Sequence, residues 1–244
     1  KGTNALEGIK GNYTIAIYDE YSRELVLFND RIGPRRLYYA DLPEMFVFSP
    51  EMKALSLFLD QERDLNWQGI GDFLSYGYIL GDKTFFSSVH ALPSASILRH
   101  TPSEKKTVVS KYWHPRYRDD RTDLDAAVEE CLDLLHTSIS EKVKGCRSVV
   151  CPISGGLDSR IILGTLEGLD EDVLIEPITY GQRFSHEYKN ARRVCSALGL
   201  RNHSLIEIDP QSLLVHYPQA VWLSEGMVPL TNAHMLLIPE NTGC

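Results

Sequence analysis

Ser148-Val-Val-Cys-Pro-Ile153, running straight into Ser154-Gly155-Gly156-Leu157-Asp158-Ser159, is the stretch that decides the fold. The first six residues form a short, almost continuously apolar run, as a strand covered on both faces does. A glycine pair then breaks the pattern, and 158–167 resumes it with helical spacing. The same alternation follows, with apolar runs at 173–179 and 203–208 and a helical segment at 185–198 between them. Strands buried on both faces and separated by helices predict a parallel α/β sheet. Upstream, Leu124, Ala127, Val128, Cys131, Leu132, Leu134, Leu135 and Ile139 recur at three- and four-residue intervals, predicting an amphipathic helix over 124–143.

A loop between a strand's carboxyl end and a helix is where open α/β sheets bind ligands. Gly155 and Gly156 are expected to let the backbone take conformations closed to other residues and to approach a ligand closely. The free N–H groups and positive end of the following helix favour an anion. The hydroxyls of Ser154 and Ser159 can add hydrogen bonds to phosphate oxygens, and Asp158 is a hard oxygen ligand suited to Mg²⁺. A glycine turn capped by Ser154 and Asp158 would explain Ser-Gly-Gly alone, but it explains the second serine less well. The segment also lacks the Gly-Lys-Ser/Thr ending of the kinase and GTPase phosphate loop.

The amino-terminal part has a different rhythm. Runs at 13–18, 24–28, 36–39 and 45–48 are rich in aromatic and branched residues and separated by polar turns, which predicts an antiparallel sheet. Ser49 and Pro50 look like the cap and first residue of a short helix, with Glu51 near its positive end. A second helix is expected over 66–77, and 96–99 and 107–110 read as a hairpin turned at Thr101-Pro102-Ser103. The polar segment 115–122 is the expected boundary between domains at 1–114 and 123–244.

A formal charge of −8 with no dense Lys/Arg block argues against a nucleic-acid partner and for small-molecule substrates. The five cysteines, Cys131, Cys146, Cys151, Cys195 and Cys244, form no C-x-x-C pair, and an odd number cannot complete a disulfide framework. The histidines show no zinc-ligand spacing, and adjacent His186 and Glu187 would not share a helix face. No apolar run approaches the ~18 residues of a membrane span. A cytoplasmic protein with reduced thiols is the expectation.

Ser-Gly-Gly-x-Asp-Ser resembles the loop of ATP pyrophosphatases, which cleave ATP between the α and β phosphates. The remaining matches narrow the resemblance: Leu6-Glu-Gly8, Ile15-Ala-Ile-Tyr-Asp19, Asp30-Arg-Ile-Gly33, Leu37-Tyr-Tyr39, Ser49-Pro-Glu-Met-Lys-Ala-Leu55 and Leu74-Ser-Tyr-Gly77, then Thr179-Tyr-Gly181, Glu187 and Leu198-Gly199. In this order they are similar to glutamine-hydrolysing asparagine synthetases, in which a glutaminase is fused to an ATP pyrophosphatase domain. The resemblance implies the second half of an Ntn-type antiparallel glutaminase sheet over 1–114, then the first part of a synthetase domain over 123–244. It implies ATP and Mg²⁺ as cofactors, and aspartate or another carboxylate with glutamine or ammonia as substrates; a homodimer is compatible with it. Ser154, Gly155, Gly156, Leu157, Asp158 and Ser159 would bind the pyrophosphate, Pro152 and Tyr180 would lie beside the adenosine, and Asp158 would act in catalysis through the metal.

Two departures stand out: Arg160 where many relatives have a small residue, and Arg36 in place of a proline. The family's nucleophile is an N-terminal cysteine with no counterpart in this chain, which is therefore expected to be part of a longer protein. Two other functions share the loop: relatives resembling β-lactam synthetases or peptide-cyclising enzymes, in which an internal amine attacks the adenylate, and non-catalytic nucleotide-binding proteins.

Overall fold

The structure is a computed structural model that describes residues 8–59, 64–117, 123–169 and 172–236. It divides into two compact units, Lys1–Tyr117 with Val221–Pro229, and Arg118–Ala220 with Leu230–Cys244. The first is built on antiparallel strands and the second on a parallel sheet with helices.

In the first unit, β1 (Thr14–Asp19), β2 (Glu24–Asn29), β6 (Ser96–Thr101) and β7 (Lys106–Lys111) make one sheet in the order β1-β2-β6-β7. β3 (Tyr38–Asp41), β4 (Phe46–Ser49) and β5 (His90–Ala91) make another, in the order β4-β3-β5. The single sheet expected over 13–48 is thus two sheets. The free edge of β2 is taken by β6, 70 residues on, which sets the fully buried Leu27 opposite the fully buried Leu98. A turn at Asp30 carries the chain out of the first sheet, with Gly33 at φ +67° and so near Ser94 that a Cβ on it would lie 2.9 Å from that residue's Cβ. Asn29, 1% exposed, fastens the crossing: its amide donates to Pro93 O at 2.9 Å and its Oδ1 accepts from Ser96 N at 3.0 Å. The β6–β7 hairpin is formed as expected, with Lys105 in the left-handed region at its tip.

Helix α1 (Met52–Leu55) begins later than expected, and Pro50 lies outside it. Ser49 Oγ accepts from Glu51 N at 3.1 Å without capping the helix. The first amides of α1 are taken instead by the Glu225 carboxylate, which accepts from Met52 N at 2.9 Å and Lys53 N at 2.6 Å. A charged acceptor on two orphan amides is a stronger partner than a neutral serine. Met227 is buried in the same cluster as Tyr38, Met52 and Leu55. Residues 221–229, expected in the second domain, therefore belong to the first unit. Helix α2 (Trp67–Tyr76) is capped by Asn66, whose side chain accepts from Gly69 N, and closed by Gly77 at φ +76°.

The second unit contains α3 (Leu124–Val143), β8 (Ser148–Pro152), α4 (Leu157–Glu167), β9 (Leu174–Gly181), α5 (His186–Ala197), β10 (Ser204–Glu207) and α6 (Pro210–Ser224), whose last turn is counted with the first unit. Its strands are parallel, in the order β10-β9-β8. Ile139, Val143, Cys151, Ile153, Leu163, Leu166, Ile175, Ala191 and Cys195 form its core. Leu163 alone, with no exposed surface, contributes about 1.5–3 kcal/mol by the usual transfer scale. The apolar stripe of α3 is buried only at its end, where Ile139 and Val143 join the core; Leu124, Val128 and Leu132 are exposed.

Candidate active site

The site is built on the junction of β8 and α4. Beyond the last paired residue of β8, Ile153 N still donates to Ile178 O of β9 at 2.7 Å, so the chain is held to the sheet until the residue before Ser154. The two serines then close the loop on itself. Ser154 N donates to Ser159 Oγ at 3.1 Å, the hydroxyls lie 3.0 Å apart, and Gly156 N donates to Ser154 Oγ at 3.2 Å. Both hydroxyls expected to reach for phosphate thus define the loop's shape.

The glycines serve differently from the expectation. Neither Gly155 nor Gly156 has a positive φ, so no left-handed conformation demands them. What they provide is close approach: a Cβ on Gly155 would lie 3.2 Å from Asn190 Nδ2 and 3.4 Å from Glu187 Cα, both on α5. One on Gly156 would meet Ser154 Oγ at 3.3 Å.

Gly156 precedes α4 in an extended conformation, and no side chain caps the helix. The first-turn amides are therefore open to an acceptor, at the end of the helix where the dipole favours negative charge. Asp158 sits in this first turn, exposed, and its carboxylate makes no hydrogen bond or ion pair with a described residue. Arg160 does not reach away from the loop: its Nε donates to Gly156 O at 3.0 Å and braces the turn.

Pro152 and Tyr180 lie near the carboxyl ends of the adjacent strands β8 and β9. Pro152 is exposed, and the half-buried Tyr180 ring lies 4.6 Å from that of His234. Two residues missed in the sequence stand behind the loop. Thr179, 2% exposed, donates its hydroxyl to Ile153 O at 2.8 Å and meets His203 Nε2 at 2.9 Å. The hints in the sequence are the place of Thr179 in the Thr179-Tyr-Gly181 match and a small hydroxyl residue at the end of the apolar run 173–179.

Residues 1–113 match the glutamine amidotransferase domain family, and residues 130–238 match the asparagine synthase family. The two matches, one to each part of the chain, support the glutamine-hydrolysing asparagine synthetase-like family. The chain is 21% identical to asparagine synthetase [glutamine-hydrolyzing] 1 of Bacillus subtilis, over 89% of its own length and 34% of that protein's. It is 25% identical to the second such synthetase of B. subtilis, over 92% of the chain and 32% of the relative. It is 24% identical to amidase chry2 of Gibberella zeae, over 95% of the chain and 36% of the relative. The chain spans about a third of the length of the curated relatives it matches.

Among the described residues, no group of three or more His, Cys, Asp or Glu side chains is placed to hold a metal. A carboxylate unpaired among the described residues, beside open helix-start amides, is the kind of ligand Mg²⁺ takes, since that ion keeps several waters and is typically held by one or two carboxylates together with a substrate's phosphates. No helix among the described residues is long and apolar enough to cross a membrane.

Proposed function

We propose that the complete protein activates a carboxylate with ATP and converts it to an amide. A carboxylate oxygen attacks the α-phosphorus, the bond to the β-phosphate's bridging oxygen breaks, and pyrophosphate leaves. Ammonia from glutamine then attacks the acyl carbon, the nitrogen loses a proton, and AMP departs. The observation that carries this reading is the uncapped first turn of α4, opening at the carboxyl end of a parallel sheet beside Asp158, which is unpaired among the described residues.

In this reading the open first-turn amides of α4, those of Leu157 and Ser159 among them, receive the charge that accumulates on the departing pyrophosphate, and Ser154, Gly155 and Gly156 shape the loop around it. Fixed donors aimed at developing charge are the largest contribution in most such steps. Asp158 would hold Mg²⁺, which supplies Lewis-acid neutralisation of the phosphates when bound. Pro152 and Tyr180, on neighbouring strand ends, would flank the adenosine. Aspartate is the carboxylate we assign. Residues 1–113, matched to the glutamine amidotransferase domain, contain no cysteine, so the nucleophile that releases ammonia is assigned to the protein outside this chain.

ATP–pyrophosphate exchange by the complete protein with Mg²⁺ and a panel of carboxylates tests the proposal. Exchange that depends on aspartate supports it; ATP binding without exchange under any carboxylate overturns it. A second reading, in which the adenylate is captured by an amine other than ammonia, shares the loop and the adenylation step. Exchange driven by another acid and not by aspartate would select it.

A further inference from the structure

We propose that Thr179 and His203 are positioning residues that set the Ser154–Ser159 loop for the pyrophosphate-forming step, an inference that rests on the adenylation reading above. Ile153 is the last residue before the loop, and both its backbone groups are engaged by β9. Its N–H donates to Ile178 O at 2.7 Å and its carbonyl accepts from Thr179 Oγ1 at 2.8 Å. A carbonyl can only accept, so the single hydroxyl proton of Thr179 points to Ile153. His203 Nε2, 2.9 Å from the same oxygen, must then be the donor. The order is therefore His203 Nε2–H to Thr179 Oγ1, and Thr179 O–H to Ile153 O, a directed chain that ends one residue from Ser154.

This assignment leaves His203 Nδ1 as a bare acceptor, and it is buried without a partner among the described residues. The ring is held by stacking on Tyr188 of α5, with centroids 5.5 Å apart. Burial and the nearby Arg192 charge both push the His203 pKa below its ordinary value, which favours the neutral ring. An unpartnered buried nitrogen is a cost the fold carries for fixing the other one. The relay touches neither the open amides of α4 nor Asp158; it acts on the loop through Ile153.

The test uses Thr179→Val, which keeps the shape and removes the hydroxyl, and Thr179→Ser, which restores it. In the complete protein, Thr179→Val should slow ATP–pyrophosphate exchange on the order of 10²-fold, as small misplacements of a reacting group do. Its Kd for Mg-ATP should change by less than about threefold, and Thr179→Ser should stay within about threefold of wild type in both because it keeps the hydrogen bond. His203→Phe, which keeps the stacking and loses the donor, should show the same rate-specific loss if Thr179→Val does not fold. Equal losses in binding and rate, or no difference between the valine and serine variants, would overturn the relay. If wild type itself catalyses no exchange, the functional reading fails while the relay is judged by amide hydrogen exchange. The Ser154 and Gly156 amides should then exchange faster in Thr179→Val than in Thr179→Ser, and equal rates would overturn it.

Discussion

Asp30 and Asp158 each stand in a turn that follows a strand, next to backbone amides left open by the end of regular structure, yet they are used in opposite ways. Asp30 is 4% exposed and accepts from Tyr13 N at 3.1 Å and from Ile32 N and Gly33 N at 2.9 Å each. Burial alone pushes its pKa up, but the amides of Gly33, Ile32 and Tyr13 outweigh it and hold the carboxyl below its ordinary value. Asp158 is exposed and leaves the amides beside it open. A carboxylate already saturated by backbone has no capacity for a ligand, and one without partners contributes little to the fold. The same residue type is thus structural in the first unit and available for chemistry in the second.

The sharpest way to break this contrast is Asp158→Ala. Exchange should fall on the order of 10³-fold, as when a metal ligand or a main charge-stabilising group is lost. Stability should change by less than about 1 kcal/mol, the value of one acidic residue in a helix's first turn. An unfolded variant, or normal turnover, would erase the distinction.

Gly33→Ala tests the other side. A side chain at φ +67° with a Cβ 2.9 Å from Ser94 Cβ should cost about 2–4 kcal/mol, measured by urea unfolding. Gly155→Ala, at an ordinary φ and against the movable Asn190 amide, should cost only about 1 kcal/mol.

Asp30→Asn comes next, with a loss of about 1.5–3 kcal/mol at neutral pH, the value of hydrogen bonds to a charged group. Because the folded pKa of Asp30 is depressed, its contribution is fully present above the ordinary value of 3.8 and is lost as pH falls through the lower folded value. Wild type should therefore converge on Asp30→Asn in that acidic window; a gap independent of pH would mean that the charge is not the cause.

The smallest effect expected is one of protection. Cys151, at the end of β8 just ahead of the loop, is buried and its thiol is pushed up to about 11; Cys195 is raised by burial as well. Cys131 and Cys146 are exposed. Iodoacetamide at mildly alkaline pH should label the exposed pair and leave Cys151 and Cys195 untouched until denaturant is added. Early labelling of Cys151 would show that the support of the loop opens in the native state.

Local patterns made much of this legible. The apolar run over 148–153, the glycine pair and the helical spacing after Asp158 each obey a short-range rule, and β8, the loop and α4 lie where those rules put them. The helices expected from 66 and 185 also begin there, where Asn66 and Ser185 each accept from an amide three residues on. Aromatic and branched runs between polar turns likewise marked the strands of the first unit, but they carry no information about partners. Nothing in 24–29 says that β2 will pair with a strand beginning at Ser96, or that β3 will join a different sheet.

Residue order and spacing alone determined that this chain alternates apolar strands and helices after residue 147, that a glycine-bearing loop sits between two of them, and that a carboxylate stands at the start of the helix after it. Only the tertiary structure decided that Glu225 would close α1 from 173 positions away, that Gly155 is needed for the approach of α5, and that Thr179 and His203 stand behind the loop. Helix periodicity and capping are short-range because backbone geometry repeats within a turn. The partners of buried polar groups are set by which surfaces pack together, and that is decided by the collapse of the whole unit.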